Sequence, residues 1–214
     1  MKFRIFEEKY GQYPFINTKT LKFEKEKSSY VSRLLSEWKK KEWIIQLKKG
    51  IYIINKKNHR QKLDTYFLAN NLYTPSYISL ESALSFYNII PEAVFTITSV
   101  STKKTQKIKN KIGTFSYNHL KTSLFFGFKT LELEGQNVFL ATAEKALLDF
   151  VYLHHAEAKN AQNFCENYRL QNLDTLKKNI LNKYLRKIRK KRLEKIIKNI
   201  LQFSEKTRSE LKKI

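Results

Sequence analysis

The chain has 214 residues, 42% hydrophobic and 14% aromatic, with a formal net charge of +23. That length and apolar content suffice for a buried core in one large or two small domains, and they exclude a disordered basic tail. The single cysteine, Cys165, excludes an internal disulfide and a cysteine-based zinc finger, so its expected role is that of a small buried hydrophobe.

The charge is concentrated. Residues 1–60 hold 16 Lys and Arg against 6 Asp and Glu, residues 61–176 hold 11 against 10, and residues 177–214 hold 15 against 3. Excess at both ends around a neutral middle points to two surfaces that meet a polyanion. Nucleic acid is the first candidate, with an anionic membrane or an acidic protein as the others. The start, MKFRIFEEKYGQY, lacks the apolar core of a signal peptide, and no apolar run reaches membrane-spanning length. The expected location is the cytoplasm, with no membrane partner.

Residues 2–10 predict a short helix with Phe3 and Phe6 inward, broken at Tyr13-Pro14. Phe15 to Phe23 predicts a second, capped by Asn17 or Thr18, with Ile16, Leu21 and Phe23 toward the core. From Ser28 to about Lys41 the apolar residues Val31, Leu34, Leu35 and Trp38 line one face of a third helix, with Ser28 or Ser29 as its cap. The opposite face carries Ser29, Tyr30, Ser32 and Arg33, then Lys39 and Lys40, side chains able to approach base edges and phosphates. Trp43 to Ile54 then changes period. Two β-branched runs surround Lys48-Lys49-Gly50, which predicts a hairpin with Gly50 at positive φ and Lys48 and Lys49 at its tip. Helix, helix, helix and basic hairpin is the order of a winged helix-turn-helix. The charged turn KFEKEK, without glycine, joins its second and third helices.

Asn55 to Arg60 reads as a linker. A helix from Gln61 to about Tyr73 follows, then one opening at Ser79 with Leu80, Ala83, Leu84 and Tyr87 on one face. Strands are predicted at Ala93–Val100, Ile112–Tyr117, Phe128–Leu133 and Asn137–Leu140. The loop between the first two carries five lysines, Lys103 and Lys104 among them. Thr142 caps a helix to about His154 that turns Ala143, Ala146, Leu147, Phe150 and Val151 inward. The last helical stretch, about Asp174 to Leu201 with a break near Asn182, contains LRKIRKKRLEK. Arg186, Arg189, Lys190 and Arg192, with Lys187 and Lys191, repel one another there with only Glu194 nearby, a cost that an anionic partner offsets. Domains are expected at 1–56 and 61–214, with a basic helical tail from about 174.

Little points to catalysis. Glycines 11, 50, 113, 127 and 135 build no P-loop or dinucleotide fingerprint. Histidines 59, 119, 154 and 155 make no ligand pair at metal spacing, so no metal or other cofactor is expected. Ser101-Thr102-Lys103-Lys104 has the S-x-x-K spacing, but in a basic loop without companion motifs. Glu132 and Glu134 share a strand face without the Asp and Lys that would complete a nuclease site.

The string SLESALSFYNIIPEAVFTITSVSTKK at 79–104 resembles the AbiEi family of antitoxins, the regulatory half of a type IV toxin–antitoxin pair. So do Gly113-Thr114-Phe115-Ser116-Tyr117, Phe126-Gly127-Phe128, ATAEKALLDFVYL at 141–153, and the N-terminal run ending KKGIYII. The resemblance spans about residues 13 to 155. Family members often carry a glycine before the hairpin, where this chain has Glu42. The resemblance implies an N-terminal DNA-binding domain, a C-terminal antitoxin domain, repression of the protein's own operon through an upstream operator in double-stranded DNA, and a nucleotidyltransferase toxin as functional partner. The expectation is an α+β repressor and antitoxin without catalysis. The alternative is a nucleic-acid-processing enzyme or RNA-binding factor using the central sheet.

Overall fold

The computed structural model describes residues 1–18, 28–55 and 63–211 and is α+β, with a three-stranded and a six-stranded sheet. Its contacts divide the chain into two units. The first is Met1–Asp64 together with Ile108–Thr114, and the second is Thr65–Lys107 with Phe115 onward. Ile108–Thr114 falls within the 61–214 domain expected from sequence, yet its contacts group it with the first unit.

In the first unit, α1 (Phe3–Tyr10) is followed by β1 (Ile16–Asn17), α2 (Ser28–Lys40), β2 (Ile44–Lys48) and β3 (Ile51–Ile54). The spacing of Val31, Leu34, Leu35 and Trp38 puts all four on the buried face of α2, where they meet Phe6, Ile16, Ile44 and Ile54. Trp38 lies between aromatic rings, 4.7 Å from Phe6 and 5.4 Å from Phe3 between centroids. The helix ends in a Schellman turn. The Glu42 amide donates to Lys39 O (3.1 Å) and the Trp43 amide to Trp38 O (2.9 Å), with Glu42 left-handed at φ +58. Glycine adopts that conformation at least cost. The Trp43 ring that follows the turn packs on Phe3 of α1, 4.8 Å between centroids.

The sheet order is β1-β3-β2, both pairs antiparallel. β2 and β3 turn at Lys49-Gly50 after an irregularity between Gln46 and Lys48, and Gly50 has φ +79 as the turn requires. The Gly50 carbonyl accepts from the Thr18 amide (2.9 Å), and an added Cβ would lie 3.0 Å from Thr18 Oγ1. Gly50→Ala should therefore destabilise the first unit by about 1–2 kcal/mol, from left-handed strain and this contact. Urea denaturation followed by tryptophan emission measures it. Asn110 Nδ2 donates to Leu47 O (3.0 Å) and Lys111 pairs with Glu42, so Ile108–Thr114 completes the edge of this unit.

The second unit contains α3 (Thr65–Leu72), β4 (Ser76–Ile78), α4 (Leu80–Phe86), β5 (Thr96–Ser101), the first half of β6 (Gln106–Lys109), all but the first residue of β7 (Thr114–His119), β8 (Phe128–Leu133) and β9 (Gln136–Ala141). Then come α5 (Ala143–Leu153), α6 (Ala161–Asn167), α7 (Lys178–Ile188) and α8 (Lys191–Leu211). The strand order is β6-β7-β5-β4-β9-β8. It is mixed: β4 runs antiparallel to β5 but meets β9 in parallel at Ile78 and Leu140. Thr142 caps α5 as its sequence predicts, accepting from the Lys145 amide at 3.3 Å. Every residue of α5 from Glu144 to Val151 is buried. α8 packs on α5 and α6 through Leu193, Ile196, Ile197 and Ile200.

Four expectations change. Ile16 and Asn17, expected in a second helix, are a strand because Ile16 pairs with Tyr52 and fills the core beside Phe6; Leu21, Phe23 and the KFEKEK turn lie outside the described residues. The lysine-rich loop contains β6, whose Ile108 is buried. α7 runs unbroken past Asn182. The chain breaks instead at Arg189, left-handed at φ +54, whose amide donates to Leu185 O (3.0 Å). The first helix of the second unit begins at Thr65, and residues 56–62 of the expected linker and helix start lie outside the described residues.

Candidate nucleic-acid interface

Burying four apolar residues of α2 turns its other face outward. Ser29, Ser32, Arg33, Lys39 and Lys40 are exposed there, while the side chain of Ser28 lies outside the described residues. Tyr30 is half-buried against the core, and its hydroxyl accepts from the Met1 amino group at 2.7 Å. Arg33 lies over the Tyr30 ring, 5.3 Å from its centroid. Such stacking reduces the freedom of the guanidinium and leaves its donors directed outward. Tyr30 therefore supports Arg33. Lys39 donates to Gln46 Oε1 (3.1 Å), linking α2 to β2. Glu37, on the same helix, is hydrogen-bonded by Lys41 at 2.7 Å, which lowers its carboxyl from the ordinary value. At the hairpin tip Lys49 is exposed and Lys48 half-buried. The first unit thus presents short exposed hydroxyls and an arginine over a tyrosine ring on α2, and lysines at its hairpin tip.

Four of the six predicted cations of the second unit, Lys103, Lys104, Lys190 and Arg192, fall into two adjoining clefts. Lys103 and Lys104 are exposed, and the Lys103 ammonium lies 5.6 Å over the Tyr73 ring. With Tyr73, Thr102, Thr105 and His119 they line a recess of about 660 Å³. His119 also lines the next recess, of about 610 Å³, together with Lys190 and Arg192. Residues far apart in sequence thus meet through His119. Its Nδ1 lies 3.0 Å from Lys103 O and its amide donates to Thr105 Oγ1 at 3.1 Å. Arg186 and Arg189 are exposed but line neither recess.

Sequence reading missed a buried polar network between the family-like strings. Lys145 and Asp149 form an ion pair one turn apart on α5, with side chains 0% and 3% exposed. Lys145 Nζ donates to the Tyr77 hydroxyl (2.9 Å), and Tyr77 Oη and Ser79 Oγ each donate to Asp149 Oδ2 (2.9 Å). Thr98 Oγ1 donates to Ser79 O and accepts from the Ser82 amide, while Ser82 Oγ accepts from the Thr98 amide. Burial pushes the Lys145 ammonium down from its ordinary value and the Asp149 carboxyl and Tyr77 hydroxyl up, while the mutual attraction of Lys145 and Asp149 and the hydrogen bonds from Tyr77 and Ser79 to Asp149 oppose the shifts of that pair. Gly127 makes room for it, since a Cβ there would lie 3.0 Å from Lys145 Cγ and Cδ. No recess described above reaches these groups, and their geometry is that of packing. A lysine and an aspartate four apart in a helix whose other members, Glu144 aside, are apolar or aromatic were the available signal.

The remaining titratable candidates carry little chemistry. Burial pushes the Cys165 thiol up to about 11, leaving little thiolate near neutrality. His154 Nδ1 bonds back to Phe150 O (3.0 Å) at the end of α5. Glu132 and Glu134 are exposed, and no cluster of potential metal ligands occurs among the described residues. No helix among them is long and apolar enough to cross a membrane. No family model matches the chain, and no curated protein matches its sequence.

Proposed function

We propose that this chain is a DNA-binding antitoxin, that its first unit is a winged helix-turn-helix, and that it represses its own toxin–antitoxin operon. The first unit's order carries the reading. A helix and a short strand lead to α2, and β2 and β3 follow directly as a basic hairpin whose sheet order is β1-β3-β2. In that arrangement a helix enters the major groove while the hairpin meets the adjacent backbone. Ser29, Ser32 and the stacked Arg33 face base edges, and Lys39, Lys40, Lys48 and Lys49 face phosphates.

The family resemblance supports the antitoxin part. Its strings in the second unit converge on buried hydrogen bonds, so they build a scaffold and no active site is invoked. The partners are operator DNA and a nucleotidyltransferase toxin, the setting is the cytoplasm, and no cofactor takes part. Co-expression tests the antitoxin part. The chain should restore growth to cells making the nucleotidyltransferase encoded beside it, and continued arrest would remove that part of the proposal.

Footprinting on the upstream region tests the DNA part, with affinity falling steeply as salt rises. Arg33→Ala should lower preference for the operator over random duplex by about 1–3 kcal/mol. Lys49→Ala should weaken both duplexes alike and reduce the salt slope by about one. Equal loss of preference in the two variants would refute this division of roles.

A further inference from the structure

The paired clefts of the second unit have a chemistry of their own. The first is ringed by nitrogen: His119, Lys121, His155, Lys190, Lys191 and Arg192 all line it. Its interior is apolar and aromatic, from Tyr152, Leu153 and Ile196. The second carries Lys103 and Lys104 around Tyr73. No Asp or Glu among the described residues lines either cleft. Lys121, Lys190, Lys191 and Arg192 form no ion pair within the described residues. Lys191 and Arg192 open α8, the end of a helix whose dipole disfavours cations. The site is therefore assembled against its own electrostatics, and an anion relieves it.

The shape selects among anions. A duplex keeps its base faces stacked and shows only base edges and phosphates, which would leave the rings and the apolar floor without a stacking partner. A single strand offers both phosphates and base faces, and a basic groove with spaced aromatic rings is how proteins hold one. In each cleft a lysine already rests on a tyrosine ring, Lys103 on Tyr73 and Lys190 on Tyr152 at 4.8 Å. A base that takes the ring displaces the ammonium toward the neighbouring phosphate, so the two contacts form together. We propose that this double cleft binds a single strand of nucleic acid, separately from the duplex surface of the first unit.

The test uses the full chain and three labelled probes followed by fluorescence anisotropy: oligo-uridine and oligo-thymidine strands of about ten nucleotides, within the usual groove length, and a random duplex. Lys191→Glu with Arg192→Glu places acids where the α8 dipole favours them, so folding is retained. This pair should weaken strand binding more than about tenfold while changing duplex binding far less. Tyr152→Ala should cost about tenfold on the strand and Tyr152→Phe should restore it. Arg33→Ala should leave strand binding intact. The better-bound homopolymer identifies the strand as RNA or DNA. The proposal is overturned if neither strand binds, if the double charge reversal weakens duplex and strand in equal proportion, or if Arg33→Ala abolishes both. Loss of operator preference alone bears on the first unit and leaves this inference standing.

Discussion

Lys145→Met should destabilise the second unit by about 3–5 kcal/mol, because it strands the Asp149 carboxylate in the interior. The loss exceeds that of a surface ion pair for a definite reason. Both side chains are almost fully buried, and neither can recover water when its partner is removed. Asp149 would keep its bonds from Tyr77 and Ser79, but no cation would balance it. The double variant Lys145→Met with Asp149→Asn removes both charges and retains an acceptor for those hydroxyls. It should recover a large part of the loss. Urea denaturation followed by far-ultraviolet circular dichroism measures both. A double variant no more stable than the single one would place the loss in packing beside Gly127.

Trp38→Ala should cost the first unit about 3–5 kcal/mol through the cavity it leaves between Phe3, Phe6 and the sheet. That is a large fraction of the stability of a small domain. The chain's two tryptophans are Trp38 and Trp43, both in the first unit, so Trp43 remains as an emission probe of that unit in the variant. Its unfolding midpoint should fall to a lower urea concentration, and duplex affinity should decline with the folded fraction. Single-strand binding should persist. Retention of full duplex binding with an unchanged midpoint would show that Trp38 is not a keystone of the core.

The elements legible in the sequence are those whose pattern repeats. α2 and its hairpin carry enough apolar positions to reveal period and face, and Gly50 marks the turn. β1 has two residues, too few for any period, and its neighbours Leu21 and Phe23 lent the segment a helical look. β6 has one inward apolar residue, Ile108, among lysines. The turn between α7 and α8 rests on Arg189 in a conformation usually signalled by glycine, so no residue type announced it. The candidate site divides likewise. The charge blocks at 103–104 and 186–192 stood out, whereas the recess that gathers His119, Tyr152 and Lys190 depends on strand order, which no local pattern encodes. The Lys145–Asp149 pair was hidden in a stripe read only for its apolar members.

The return of Ile108–Thr114 to the first unit governs the order in which the protein can be finished. During synthesis, Leu47 and Glu42 emerge from the ribosome long before Asn110 and Lys111, the residues that bond to them. The amino-terminal part must wait, incomplete, until translation has passed Thr114. A fragment ending at Asp64 would be born without its closing segment, so removing the carboxy-terminal half would take away part of the amino-terminal fold as well.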